Sequence, residues 1–150
     1  MDGATLRWVI IAVLAFHAIG QLMGAMPALG LLGAGAEDGP AWRRNWHACS
    51  WLLGRVLSAR VSRAICAALW LAAFAGFTGT VVSLLGWLDP SEGWRALATG
   101  AAAASLLALL LFWNSLILLV PHKVGNLLVN VAVLVGVVLL NWPGDANLGR

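Results

Sequence analysis

Two polar side chains four residues apart, His17 and Gln21, interrupt the apolar run "LAFHAIGQLMG". An imidazole can donate, accept or relay a proton, and an amide can donate and accept at once. At a spacing of four they share one face of a helix. The same step recurs later in the chain, where His122, Asn126 and Asn130 follow one another with Lys123 beside them. Asn114 and Ser115 end the intervening run. An amide left against hydrocarbon loses several kcal/mol of hydration. Gln21, Asn114, Ser115, Asn126 and Asn130 are therefore expected to turn inward together, with His17 at the inner end and His122 and Lys123 at the mouth. Two readings of this cluster are open: hydrogen-bonding glue between helices, or a ligand, proton or cofactor site.

Other chemistries find less support. Glu37, Asp38, Asp89, Glu92 and Asp145 all fall outside the apolar runs, so a proton-coupled exporter of the small multidrug type lacks its buried carboxylate. The stretch "RRNWHACSW" has the arginine and asparagine of the glutathione-handling MAPEG proteins but not their glutamate. Two haem ligands on facing helices require two deep histidines, and only His17 is deep. His47 reads as an interfacial residue. Cys49 and Cys66 are far apart on a helical path, roughly 25 Å at 1.5 Å per residue, and are expected to be unpaired packing cysteines. No motif implies a metal or a cofactor, although a quinone is compatible with the cluster, and no catalytic constellation is recognisable, which leaves enzymatic activity open and favours a non-enzyme.

The elements that must position these groups follow from composition. Of 150 residues, 61% are hydrophobic and 10% charged, against roughly 25% charged in a soluble domain. So few charges cannot cover a water-facing surface, and the expected class is an all-α integral membrane four-helix bundle forming one domain over 1–150. Its spans are expected at about 8–27, 64–87, 96–120 and 124–142, each near the ~20 residues a bilayer requires. The first span, with Arg7 ahead of it, has the look of a signal peptide but is read as a span. The turns are expected at "LDPSEGWR" and "PHKVG". Between spans one and two, "WLLGRVLSARVSR" places Leu53, Leu57 and Val61 on one helical face. That suits a helix lying in the membrane interface, or an extension of span two. Gly20 and Gly24 form a GxxxG pair, and Gly76 and Gly79 are a second pair of small residues expected to let helices approach.

Arg43, Arg44, Arg55, Arg60, Arg63 and Lys123 gather at one end of this arrangement, with Arg7, Arg95 and Arg150 at the other. The positive-inside rule then places both termini outside a bacterial inner membrane. Trp42, Trp46 and Trp51 belong to the basic end, and Trp8, Trp87, Trp94 and Trp142 to the opposite one, as two interfacial belts. The net charge of +3 is assigned to lipid headgroups rather than to nucleic acid.

On "LAFHAIGQLMG" and "SLILLVPHKVGNLLVN" the chain resembles small bacterial four-span membrane proteins of DoxX-like architecture. The matching positions are His17, Gly20, Lys123, Gly125 and Asn130. The resemblance implies a four-helix bundle and, for some such proteins, membership of quinone-linked oxidoreductases. Three functions follow as expectations. The first is a non-catalytic subunit that packs against other membrane proteins or against itself. The second is a redox or quinone-binding protein that uses His17, Gln21 and Asn130. The third is a small-solute transporter that uses the polar half of the bundle.

Overall fold

A computed structural model describes residues 2–31, 50–88, 93–113 and 120–148. Four long helices alternate in direction: α1 (Gly3–Ala25), α2 (Ala59–Leu84), α3 (Gly93–Phe112) and α4 (Val120–Leu134), the last continued by a π-helical turn, Val135–Leu139. All four, α4 counted with its π turn from His122 to Leu139, are long and apolar enough to cross a membrane.

Local chemistry sets the helix ends. The Asp2 carboxylate accepts from the Thr5 amide at 2.7 Å and caps α1, satisfying one of its orphan N–H groups. Ser58 caps α2 in the same way, accepting from Val61. At the far end of α2, Gly86 takes a left-handed φ of +84° while the Trp87 amide reaches back to the Val82 carbonyl. This is the closure that favours glycine, which has no Cβ to clash. Gly30 does the same after α1, and α1 ends at Ala25, just ahead of Pro27.

Several boundaries differ from those read in the sequence. The second helix begins at Ala59 rather than Ala64, so Arg60 and Arg63 ride on it. The stretch 51–63 is not one amphipathic helix: a single 3-10 turn, Leu53–Arg55, precedes the Ser58 cap. The third helix stops at Phe112 instead of reaching Val120. "PHKVG" is not a turn but the opening of α4, which starts at Val120. Proline suits that position, because the first-turn N–H groups have no helical partner in any case. The fourth helix ends at Leu139, short of Trp142. Trp42, Trp46, His47, Cys49, Arg43 and Arg44 lie outside the described residues, as do residues 89–92 of the "LDPSEGWR" turn; Cys66 is buried and unpaired.

The core has two parts. Toward the chain-terminal end, Ile11, Leu14, Phe77, Leu84, Trp94 and the alanines of α3 pack with Leu148, which a short 3-10 turn folds back under the bundle. Toward the other end, Ala25, Cys66, Trp70, Ala108, Leu109 and Phe112 form a second cluster. The two central seams are close-packed. A Cβ on Gly76 would sit 2.8 Å from Ala101 Cβ, and one on Gly24 would sit 2.6 Å from the Trp70 ring. The fourth helix is attached more loosely. Only 6% of its span is buried, against 28% to 39% of the others, and it touches α3 far more than α1.

The end carbonyls of α3 are satisfied from outside the helix. Ser50 Oγ donates to the Leu111 carbonyl at 2.6 Å, Trp51 Nε1 to that of Leu110 at 2.7 Å, and Lys123 Nζ to that of Trp113 at 2.7 Å. The last four carbonyls of any helix lack internal partners. At the opposite end the Arg95 guanidinium holds the Asn141 side chain and the Pro143 carbonyl, the latter at 2.6 Å.

Candidate functional site

The polar residues of three helices meet in one network. Gln21 on α1 is fully buried; its Oε1 accepts from Ser105 Oγ of α3 at 2.8 Å. Its amide donates to His17 Nε2 at 2.9 Å, and to Asn126 Oδ1 of α4 at 3.4 Å. Asn130 Nδ2 donates to Ser105 Oγ at 2.9 Å, to the Asn126 carbonyl at 2.8 Å and to Asn126 Oδ1. The His17 ring stands edge-on to Phe77 of α2, with centroids 4.8 Å apart. The i, i+4 pairs on α1 and α4 explain this local order, since each pair points from one helix face.

His17 Nε2 lies between a donor, Gln21, and an acceptor, Asn130 Oδ1 at 3.3 Å. A single ring nitrogen can serve only one of them. The network therefore has two proton arrangements that share one set of heavy-atom positions.

Burial divides the cluster. Gln21, Ser105 and Asn130 are sealed at 0% exposure. His17 and Asn126 are half-buried, and both line a cleft of 730 Å³ between α1 and α4. Gln21 and Asn130 donate to Asn126 Oδ1, and the single Ser105 hydroxyl proton goes either there or to Gln21 Oε1, so the Asn126 carbonyl rather than its NH₂ faces the network. Among the described residues that NH₂ donates to nothing. Lys123, His122, Gly20, Gly24 and Gly125 also line the cleft, and among the described residues no carboxylate does. Lys123 Nζ spends one N–H on Trp113 and lies 5.0 Å over its ring. The polar part of the wall is thus one amide, one ammonium and an exposed imidazole.

Six of the eight expected cluster and mouth residues, His17, Gln21, Asn126, Asn130, His122 and Lys123, meet at the network or the cleft. Asn114 and Ser115 lie outside the described residues. Gly24, Gly76 and Gly79 each face a neighbouring helix, whereas Gly20 faces open space. Among the described residues nothing comes within 4 Å of a Cβ at Gly20. Ser105 was missed: inside "GAAAASLLALLL" it reads as one more small residue. Its depth was the available signal, since α3 runs antiparallel to α2 and brings residue 105 level with Gln21.

No family model, curated protein or solved structure matches the chain.

Proposed function

We propose that this chain is an integral membrane protein that binds an amphiphilic molecule from the bilayer in the α1–α4 cleft without transforming it. The observation that carries the reading is the Asn126 amide. Its oxygen accepts from the bundle, while its NH₂ has no partner among the described residues and the residue lines a laterally open cleft. Glue needs its polar groups covered on every side, and the Gln21–Ser105–Asn130 half meets that condition. The other half, His17 and Asn126, is held in place by the sealed half and offered sideways. A preformed cleft, mostly apolar with a few converging polar groups, is the usual form of a small-molecule site. An acceptor head suits the Asn126 NH₂ and the Lys123 ammonium, and the imidazoles beside them both donate and accept. The residues matched to DoxX-like proteins support this proposal, since His17, Gly20, Lys123 and Gly125 all line the cleft. Under the same proposal the basic end, with Arg55, Arg60, Arg63 and Lys123, faces the cytoplasm. The segment before Ser58 then lies along that interface.

A second reading is favoured by one feature. Gly20 and Gly125 are bare on facing walls of the cleft, and small residues admit another helix. A partner's transmembrane helix would then fill the cleft, making this chain a subunit.

Native mass spectrometry of the gently solubilised protein separates the two. A bound molecule of lipid size that disappears in Gly20→Trp, with the bundle still folded, supports the ligand reading. A stoichiometric protein partner, or a bare monomer unaffected by that substitution, overturns it.

A further inference from the structure

The α1–α4 cleft is lined by two residues whose polar atoms the bundle has not used up. Asn126 Nδ2 is one such atom. His17 Nδ1 is the other, since both contacts of the ring are made through Nε2. Neither atom has a partner among the described residues, and neither belongs to the sealed atoms that lack one; both residues line the cleft. The distances also say which way the ring is polarised. Gln21 Nε2 lies 2.9 Å from His17 Nε2, and Asn130 Oδ1 lies 3.3 Å from it. A hydrogen on His17 Nε2 would meet the Gln21 amide hydrogen across the shorter gap. Turning the Gln21 amide over does not relieve this, because its oxygen would then stand against Asn126 Oδ1, which is 3.4 Å from the present nitrogen. The ring therefore accepts at Nε2 and carries its hydrogen on Nδ1, because a neutral imidazole has one nitrogen of each kind. Both free atoms are donors.

We propose that His17 Nδ1 and Asn126 Nδ2 are a pair of neutral donors for an uncharged amphiphile with a carbonyl head, such as a fatty ester or ketone. The proposal rests on the ligand reading above and names its class. Both residues are bonded to the same Gln21 nitrogen, so they lie at one level of the bundle. Depth selects against charge. His17 stands eight residues inside the end of α1 at Ala25, about 12 Å at 1.5 Å per residue, within a helix apolar enough to cross a membrane. An ion at that level loses far more hydration than a neutral group does. Polarity selects carbonyl over hydroxyl. A hydroxyl oxygen accepts as a carbonyl does, but its own hydrogen then needs an acceptor. Asn126 Oδ1 is already engaged, and Gln21 and Asn130 are sealed. A donor left unpaired in a dry site is penalised, whereas a carbonyl brings no such hydrogen.

The test is titration of the full-length protein in detergent with the methyl ester, the alcohol and the free acid of one saturated long chain, read by native mass spectrometry. The ester is expected to bind about tenfold more tightly than the alcohol or the acid, the worth of about one hydrogen bond. Nitrogen NMR of the histidine rings, with His17 assigned by its loss in His17→Leu, should show the hydrogen on Nδ1, and bound ester should shift that nitrogen. Asn126→Asp puts an oxygen in place of the NH₂ and should erase the preference for the ester. Equal binding of ester and alcohol, or a ring hydrogen on Nε2, would overturn the donor pair and leave the ligand reading intact. Tightest binding of the acid, lost in Lys123→Gln, would overturn it in the same way by placing a charged head at the mouth. If no probe prefers the wild-type chain to Gly20→Trp, both readings fail. The ring spectrum and the comparison among probes on the unmodified chain decide the matter even if a variant fails to fold.

Discussion

The α2–α3 seam and the α1–α4 seam are made from the same kind of residue and end up opposite in character. Both carry glycines and alanines on their facing sides. In the first, Gly76 meets Ala101 so closely that a methyl group would collide with its side chain and with the Leu97 carbonyl. In the second, Gly20 and Gly125 meet nothing. Small residues lower the barrier to helix approach but do not compel it. What holds α4 to the bundle is hydrogen bonding through Asn126 and Asn130 and packing against α3, and that leaves its α1-facing side standing off. The lesson is that a glycine pair marks a place where backbones are able to meet, and only the remaining contacts decide whether they do.

The comparison can be broken most decisively at its glycines. Gly76→Leu should destabilise the folded bundle by about 3 kcal/mol, the upper range for overpacking a filled interior, read as an earlier midpoint in a denaturing-detergent titration. Gly20→Leu should shift that midpoint by less than about 0.5 kcal/mol, as surface substitutions do. Equal losses for the two would mean that the α1–α4 seam is shut.

A finer contrast lies within the polar network. Gln21→Leu orphans groups on Ser105 and His17 in a sealed environment, at a cost of about 1–3 kcal/mol. His17→Leu removes a half-buried ring whose one engaged nitrogen is shared, and should cost about 0.6 kcal/mol, the average for a hydrogen bond between membrane helices. The same titration reads both. A larger loss for His17→Leu than for Gln21→Leu would reverse the division into a structural half and an offered half.

How far the site could be read beforehand follows the same division. His17, Gln21, Asn126 and Asn130 stood out because an amide or imidazole within an apolar run is anomalous, and because steps of four fix a common face. Ser105 did not, since a serine in a helix can satisfy itself on a carbonyl of the preceding turn, as Thr80 does on Gly76 at 2.8 Å. The four helices were legible in the length and apolarity of their runs. Their ends were less so: Pro121 was read as a stop when it stands in a start, and proline is compatible with both. The open seam was beyond reach, because it depends on which contacts fail to form.

The smallest effect concerns pH at the start of α1. Amide donation from Thr5 holds the Asp2 carboxyl below its usual 3.8. A carboxyl depressed on folding stabilises the folded state above the unfolded value, and that contribution fades as pH falls through the folded value. Fraying of the first turn, followed by amide exchange at Thr5, should therefore increase below about pH 4 in the native chain. Asp2→Asn keeps a capping oxygen and should remove the pH dependence. Persistence of the acid-induced fraying in Asp2→Asn would assign it elsewhere.

The attachment of α4 at its two extremities has a mechanical consequence. Lys123 is tied to the end of α3 at one extremity, and Arg95 grips the chain just beyond the other. A rod pinned at top and bottom cannot swing aside like a door. The bonds from Asn126 and Asn130 to Gln21 and Ser105 fasten its waist as well, so the motion left to it is a small roll about its own length.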